Sequence, residues 1–160
     1  MKLAELNQQL QNKFSKKYPK YLRDYLEVRK SKIKGAGLGL FTTIDIEKGE
    51  YIDVYMGRKL NASQVLKEDP AIDLYLMEIN KNHFIDGGGK YKCPVSFVND
   101  ARGLTRTPGI RNNCYFDLLR REKKMALIAS RNIKAGEELF VYYGDSYWRT
   151  IKRYIREGIL

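Results

Sequence analysis

The sequence predicts a mainly β domain with short helices, extended by a helix at each end. Three observations carry this prediction. From Leu26 onward apolar residues alternate or gather in strand-length runs. Glycines punctuate those runs at turn spacing. Helical periodicity is confined to the two ends of the chain. With 160 residues, the chain suits one domain, since independent domains typically run to about 100 to 150 residues. The reading divides it into an N-terminal helical extension (1–24), a β domain (25–148) and a C-terminal helix (149–160).

Leu3, Leu6, Leu10 and Phe14 recur at helical spacing, predicting an amphipathic helix that ends before Pro19. Packing on the main domain is the simplest cover for its apolar stripe; a dimer or substrate contact is the alternative. Alternation follows at Leu26 and Val28, then Leu40, then Ile52 and Val54, bounded by Gly35, Gly37, Gly39 and Gly49. Asn61 is placed to cap a short helix reaching Leu66. Strand-length apolar runs come next, at Leu74 to Ile79, Phe84 to Ile85, Val95 to Val98, Cys114 to Leu119, Met125 to Ala129 and Leu139 to Tyr143. After Trp148, the spacing of Ile151, Tyr154 and Ile155 predicts a basic helix over Arg149 to Glu157.

One frame occurs twice. Ile46, Gly49, Glu50, Val54, Tyr55 and Gly57 are echoed by Ile133, Gly136, Glu137, Val141, Tyr142 and Gly144. Each copy reads as a strand, a glycine turn and a second strand ending in an aromatic residue, so both can deliver a tyrosine to one site. Turn geometry alone and an ancient duplication both account for the echo.

Thirty lysines and arginines against 19 acids give a formal charge of +11, which suits an acidic or polyanionic partner and also simple solubility. Cys93 and Cys114 stand apart from any second ligand at metal spacing, and His83 is the only histidine. A zinc cluster is therefore not expected, and the cysteine usage suggests a reducing, intracellular compartment. Hydrolysis would have to rest on His83 alone, with no nucleophile turn nearby, so His83 is expected to be structural. Gly35, Gly37 and Gly39 fail the dinucleotide fingerprint, because the third glycine comes one residue early and no long helix follows. Met1 to Leu10 is interrupted by Lys2 and Glu5, so neither a signal peptide nor a membrane span is expected there.

Twelve tyrosines remain to be explained, with Asn99, Asn112 and Asn113 and a distinctive stretch from Gly136 to Trp148. Lys34 to Phe41, Tyr55-Met56-Gly57, Phe97-Val98-Asn99, Asn113-Cys114 and Glu137 to Gly144 stand in the order, and nearly the spacing, of the signature motifs of SET-domain proteins. Each motif alone is common by chance; five in order are specific. The chain thus resembles the SET-domain protein-lysine methyltransferases over about Leu26 to Trp148.

The resemblance implies a knotted β-clip fold in which the Asn99 segment and the strand ending at Tyr143 thread together. It also implies a narrow channel with S-adenosylmethionine at one end and the substrate lysine at the other, S-adenosylhomocysteine as by-product and no metal. Gly37, Leu38 and Gly39 would hold the cofactor through backbone atoms, and Asn99 and Asp100 would meet its amino-acid and adenine parts. Tyr143 matches the catalytic tyrosine, which also borders the cofactor. Tyr55 matches a lysine-channel tyrosine, and Tyr75 is a third member. Phe116 stands where relatives carry a tyrosine that limits methylation, which implies a di- or trimethyl product.

Departures from the family pattern are specific. Asn99-Asp100 replaces Asn-His, Ser96 replaces an arginine, and Asp100 to Asn112 is longer than usual. No cysteine-rich zinc segment follows Gly144; Tyr147, Trp148 and the C-terminal helix are expected to take its place, with Trp148 offering a flat face to adenine or plugging the domain's open end. The expected substrate is a histone tail or nucleosome, with nonspecific DNA contact through the basic surface, a nuclear or chromatin location and a possible homodimer. A non-histone protein substrate, a catalytically silent binding module and a basic nucleic-acid-binding protein are the other readings.

Overall fold

The structure, a computed structural model, describes residues 1–14 and 21–160. It is mainly β, with a helix at each end. Three small antiparallel sheets make up the domain. The first contains β1 (Leu26–Lys30), β2 (Leu38–Thr42) and β9 (Glu138–Leu139), with β2 in the middle. In the second, β8 (Lys124–Ala129) lies between β3 (Tyr51–Val54) and β7 (Cys114–Leu119). In the third, β6 (His83–Asp86) lies between β4 (Arg58–Leu60) and β5 (Leu76–Asn80).

Helix α1 (Leu3–Phe14) places Leu10 and Phe14 in the core, so the domain itself covers the C-terminal part of the stripe, while Leu3 stays exposed. Its Asn7 joins the edge of β1 as a strand neighbour would: the amide nitrogen donates to the Val28 carbonyl at 3.0 Å and Oδ1 accepts the Val28 N–H at 2.7 Å. Pro19, the expected stop signal, lies outside the described residues. Asn61 caps α2 (Ala62–Val65) through a reciprocal box with Gln64, each bond 2.8 Å.

The two copies of the repeated frame bond to each other. Ile46 and Ile133 exchange N–H···O bonds of 2.8 Å in both directions. Gly49 N–H donates to Ala129 O at 2.8 Å, and its counterpart Gly136 donates to Thr42 O at 2.7 Å. Lys48 N–H meets Asn132 Oδ1 at 2.8 Å, and Ala135 N–H meets Asp45 Oδ1 at 2.8 Å. The result is a local two-fold in which each hairpin completes the other's backbone pairing. Leu40, Ile52, Leu127, Ile133 and Leu139 are fully buried around it, which anchors everything that follows β3 and β9.

Two expectations are corrected. Val95 to Val98 is not a strand: Pro94–Phe97 forms a 3₁₀ turn. Pro94 has no N–H for a ladder and is suited to a first helical position, and Ser96 Oγ caps the turn by accepting the Cys93 N–H at 3.0 Å. The C-terminal helix α3 spans Asp145–Arg156 and so begins before Arg149. Tyr147 and Trp148 therefore project from its first turn. Among the described residues, no helix is long and apolar enough to cross a membrane.

Candidate active site

Beyond β9 the chain runs between two neighbours. Phe140 bridges Asn99 and Val141 bridges Cys114, both in parallel, and the Val141 N–H donates to the Asn99 carbonyl at 2.9 Å. This is the threading that the motifs imply for the Asn99 segment. Asn113, fully buried, staples it: Nδ2 donates to Glu138 O at 2.9 Å and Oδ1 accepts the Phe140 N–H at 2.8 Å.

Two cavities flank this crossing. The first, about 510 Å³, is bordered by Tyr55, Met77, Val95, Val98 and Phe116. The second, about 420 Å³, is bordered by Leu38, Lys92, Asn99, Asp100 and Trp148. Leu74, Tyr75, Ser96, Tyr143 and Tyr147 line both. The cavities thus meet at one wall, and Tyr143 stands in it.

Asp100 organises that wall. Its buried carboxylate accepts four hydrogen bonds: from the N–H groups of Arg102 (2.8 Å) and Tyr143 (2.9 Å), from Asn112 Nδ2 (3.0 Å) and from Trp148 Nε1 (2.7 Å). A buried carboxylate needs such saturation, because each unmet lone pair costs desolvation energy. The bond from Asn112 also ties the far end of the long 100–112 stretch to its start, so the extra length leaves the wall in place. A histidine could not accept all four bonds; aspartate here is a structural solution.

Three tyrosines converge. The Tyr143 hydroxyl donates to the Val98 carbonyl, and the Tyr55 hydroxyl donates to the Tyr75 carbonyl at 2.7 Å. Burial pushes the Tyr143 and Tyr55 phenols above their usual range. Gly87 makes this possible, since a Cβ there would come within 2.5 Å of the Tyr55 hydroxyl. The repeated frame departs from its symmetry at this point. Tyr55 is buried, whereas its counterpart Tyr142 is exposed and bonds Asp145; the next residue, Tyr143, lies inward, its backbone N–H bonded to Asp100 and its hydroxyl to the Val98 carbonyl.

Leu38 borders the second cavity, and its carbonyl accepts Asn99 Nδ2 at 2.8 Å. Gly37 and Gly39 are not among its lining residues. Gly37 turns its carbonyl to the Ser31 N–H at 2.8 Å. At Gly39 a Cβ would overlap Glu138 Oε1, so glycine there admits Glu138. That buried side chain accepts Ser31 Oγ and the Lys32 N–H, both at 2.7 Å, and Asn99 Nδ2 at 3.3 Å. Trp148 stacks on Tyr143 with centroids 5.7 Å apart, and Tyr147 meets both rings edge-on. Phe116 lies on the first cavity's wall, and His83 lines neither cavity.

Sequence reasoning missed Glu138. Glu138 carries a signal, as the second acid of Gly136-Glu137-Glu138 before an apolar strand, but its burial rests on pairing with β2. Among the described residues, no group of three or more His, Cys, Asp or Glu could hold a metal ion.

Residues 37–144 match the SET domain family. Over 134 residues the chain is 31% identical to a histone-lysine N-methyltransferase, H3 lysine-36 specific, of Coccidioides immitis, covering 78% of this chain and 12% of that protein. It is 25% identical to histone-lysine N-methyltransferase EZH2 of Chaetomium thermophilum, covering 81% of this chain and 9% of that protein. A third relative, N-lysine methyltransferase KMT5A-A of Danio rerio, is 27% identical over 71% of this chain and 34% of its own length. The chain therefore spans a minor part of each of these relatives. The family match begins just before β2 and ends where Tyr143 gives way to α3, so it takes in both strands of the crossing: the chain belongs to the SET-domain family.

Proposed function

We propose that the chain is a protein-lysine N-methyltransferase that uses S-adenosylmethionine, acts on a histone tail and yields di- or trimethyl-lysine. The observation that carries the reading is the pair of cavities meeting at Tyr143. Transfer between a small cofactor and a side chain of a large partner needs two binding surfaces that touch at one point, with the reacting atoms aligned. The second cavity suits the cofactor, with an indole face at Trp148 for adenine and polar backbone about Leu38 and Asn99 for the amino-acid end.

S-adenosylmethionine supplies a methyl group on a positively charged sulfur. The protein's part is to present a neutral amine. Lysine's free pKa is about 10.4, and the apolar walls at Val95, Val98, Met77 and Phe116 disfavour the ammonium form. Tyr55 and Tyr143 keep their protons, since burial raises both phenols, so neither acts as a phenolate base. With each hydroxyl hydrogen given to a carbonyl, their oxygens face the amine as acceptors and fix its N–H bonds, turning the lone pair toward the second cavity. Phe116 brings no hydroxyl to that wall, which leaves space for added methyl groups.

The substrate reading draws on the relatives' histone specificity and on β5, which among the described residues is an edge strand paired only with β6 and borders the first cavity. An extended tail can add beside such an edge. The charge of +11 favours contact with nucleosomal DNA, hence action on nucleosomes in the nucleus. The bonds that Asp100 and Ser96 make within the fold give both departures a structural task and weigh against a silent binding module.

The test is incubation with labelled S-adenosylmethionine and nucleosomes or free histones, followed by mass spectrometry of the labelled residue. Tyr143→Phe should keep S-adenosylhomocysteine affinity and lose about 100-fold or more in turnover, the scale of a misaligned reacting group. Undiminished turnover in Tyr143→Phe would remove Tyr143 from the chemistry; absence of cofactor binding in the wild type would refute the reading as a whole.

A further inference from the structure

Lys92 enters none of the preceding roles, yet its surroundings are unusual for a lysine. It is half-buried on the wall of the second cavity. Its ammonium lies 4.9 Å from the ring centroid of Tyr75 and 5.3 Å from that of Phe97, and both rings line the same cavity. Among the described residues, no carboxylate forms an ion pair with it. Asp100, the acid that lines the same cavity, has all its bonding capacity taken by four donors. Two aromatic faces hold a cation in position without neutralising it. A long, flexible lysine side chain gives up rotamer freedom to be held this way, and the charge it carries into the cavity is left for a ligand to meet.

We propose that Lys92 is the anion anchor of the second cavity, ion-paired with the carboxylate at the amino-acid end of the bound S-adenosyl compound. This rests on the methyltransferase reading and adds to it a residue that selects for the amino-acid end. The anchor belongs to the side of the cavity formed by Tyr75 and Phe97, whereas Trp148 stands on α3 beside Asp100, so the two ends of the ligand are read by different elements. Lys34 lines the same cavity but is exposed and free to swing away, which leaves Lys92 as the cation with a fixed position.

The experiment compares binding of S-adenosylhomocysteine with that of 5′-methylthioadenosine, which keeps the adenosine and sulfur but lacks the carboxylate. Calorimetry on the wild type, Lys92→Met and Lys92→Arg needs no turnover. Lys92→Met should weaken S-adenosylhomocysteine by about 10- to 100-fold, the range for a charge-assisted hydrogen bond, and leave methylthioadenosine unchanged. Lys92→Arg should retain most of the affinity, and the undisturbed methylthioadenosine binding reports an intact fold. Equal affinity of Lys92→Met and wild type for S-adenosylhomocysteine, or equal loss of both ligands, would overturn the anchor while leaving the methyltransferase reading standing. A wild type that binds neither compound would overturn both.

Discussion

At the scale of single residues, the proposed methyltransferase reading makes position 116 the one that sets the space beside the substrate amine. Phe116 comes from β7, where it sits opposite Leu127 of β8, and presents a ring with no polar atom to the first cavity. A tyrosine hydroxyl there would occupy room and offer a hydrogen bond that holds water beside the amine. Phe116→Tyr should therefore shift the product toward monomethyl-lysine, as read by intact-mass spectra over a time course; only monomethyl product from the wild type would refute the assignment. Tyr55 and Tyr143 stand in the ordered motifs, Phe116 two residues after Cys114 and Tyr75 in none of them, and the structure gathers all four at one cavity. Asp100 was legible as a position, while its role was not: its bonds reach Tyr143 and Trp148 across the fold, and no local pattern announces a long-range hub. Lys92 was invisible for the same reason, since Tyr75 is remote in sequence and becomes its neighbour only through the turn that precedes β5.

At the scale of elements, periodicity located most strands because burial of one face imposes it. It failed at Pro94–Phe97, where an apolar run is buried as a 3₁₀ turn, and it gave no sign of β4, a three-residue strand of mixed polarity. The joint between the N-terminal extension and the second sheet was also hidden, because it is polar. Arg23 donates Nε to Asp53 Oδ2 at 3.0 Å and Nη1 to the Phe14 carbonyl at 3.0 Å, and a second bond from Nη2 makes the carboxylate contact bidentate. Both side chains are sealed from solvent, at 2% and 0% exposure. One guanidinium thus joins the end of α1 to β3, one residue before Val54 and two before Tyr55. Removing the acid takes the facing carboxylate away from that buried cation, a change that typically costs about 3–5 kcal/mol. Asp53→Ala should lose that much in urea unfolding, and pairing Arg23→Met with Asp53→Leu should recover most of it. A loss under about 1 kcal/mol, well below the range for a broken buried pair, would show that the joint is not what holds α1 in place.

For the whole molecule, two electrostatic effects predict opposite responses to alkali. The charge of +11 at pH 7 vanishes near the isoelectric point of about 9.6, so relief of self-repulsion should raise stability up to that pH. The buried acids act the other way. Burial pushes the Cys114 thiol from 9.0 to about 12 and the Tyr147 phenol from 10.0 to about 12, and it also raises Cys93, Tyr55 and Tyr143. Above pH 9 the unfolded chain releases protons that the folded chain still holds. The stabilisation is therefore complete below the ordinary values and is lost as pH climbs toward the folded ones. Each fully buried group lowers stability by about 1.4 kcal/mol per pH unit within its window and the partly exposed Tyr147 by less, and two thiols followed by three phenols outweigh a diffuse surface term that salt screens. Unfolding free energy measured in urea should rise slightly from pH 7 to 9 and then fall steeply toward pH 12. Cys114→Ala should flatten the slope between pH 9 and 12 by roughly one group's share. Stability that keeps rising to pH 10 would mean that net charge, and not the buried site, governs the alkaline limit.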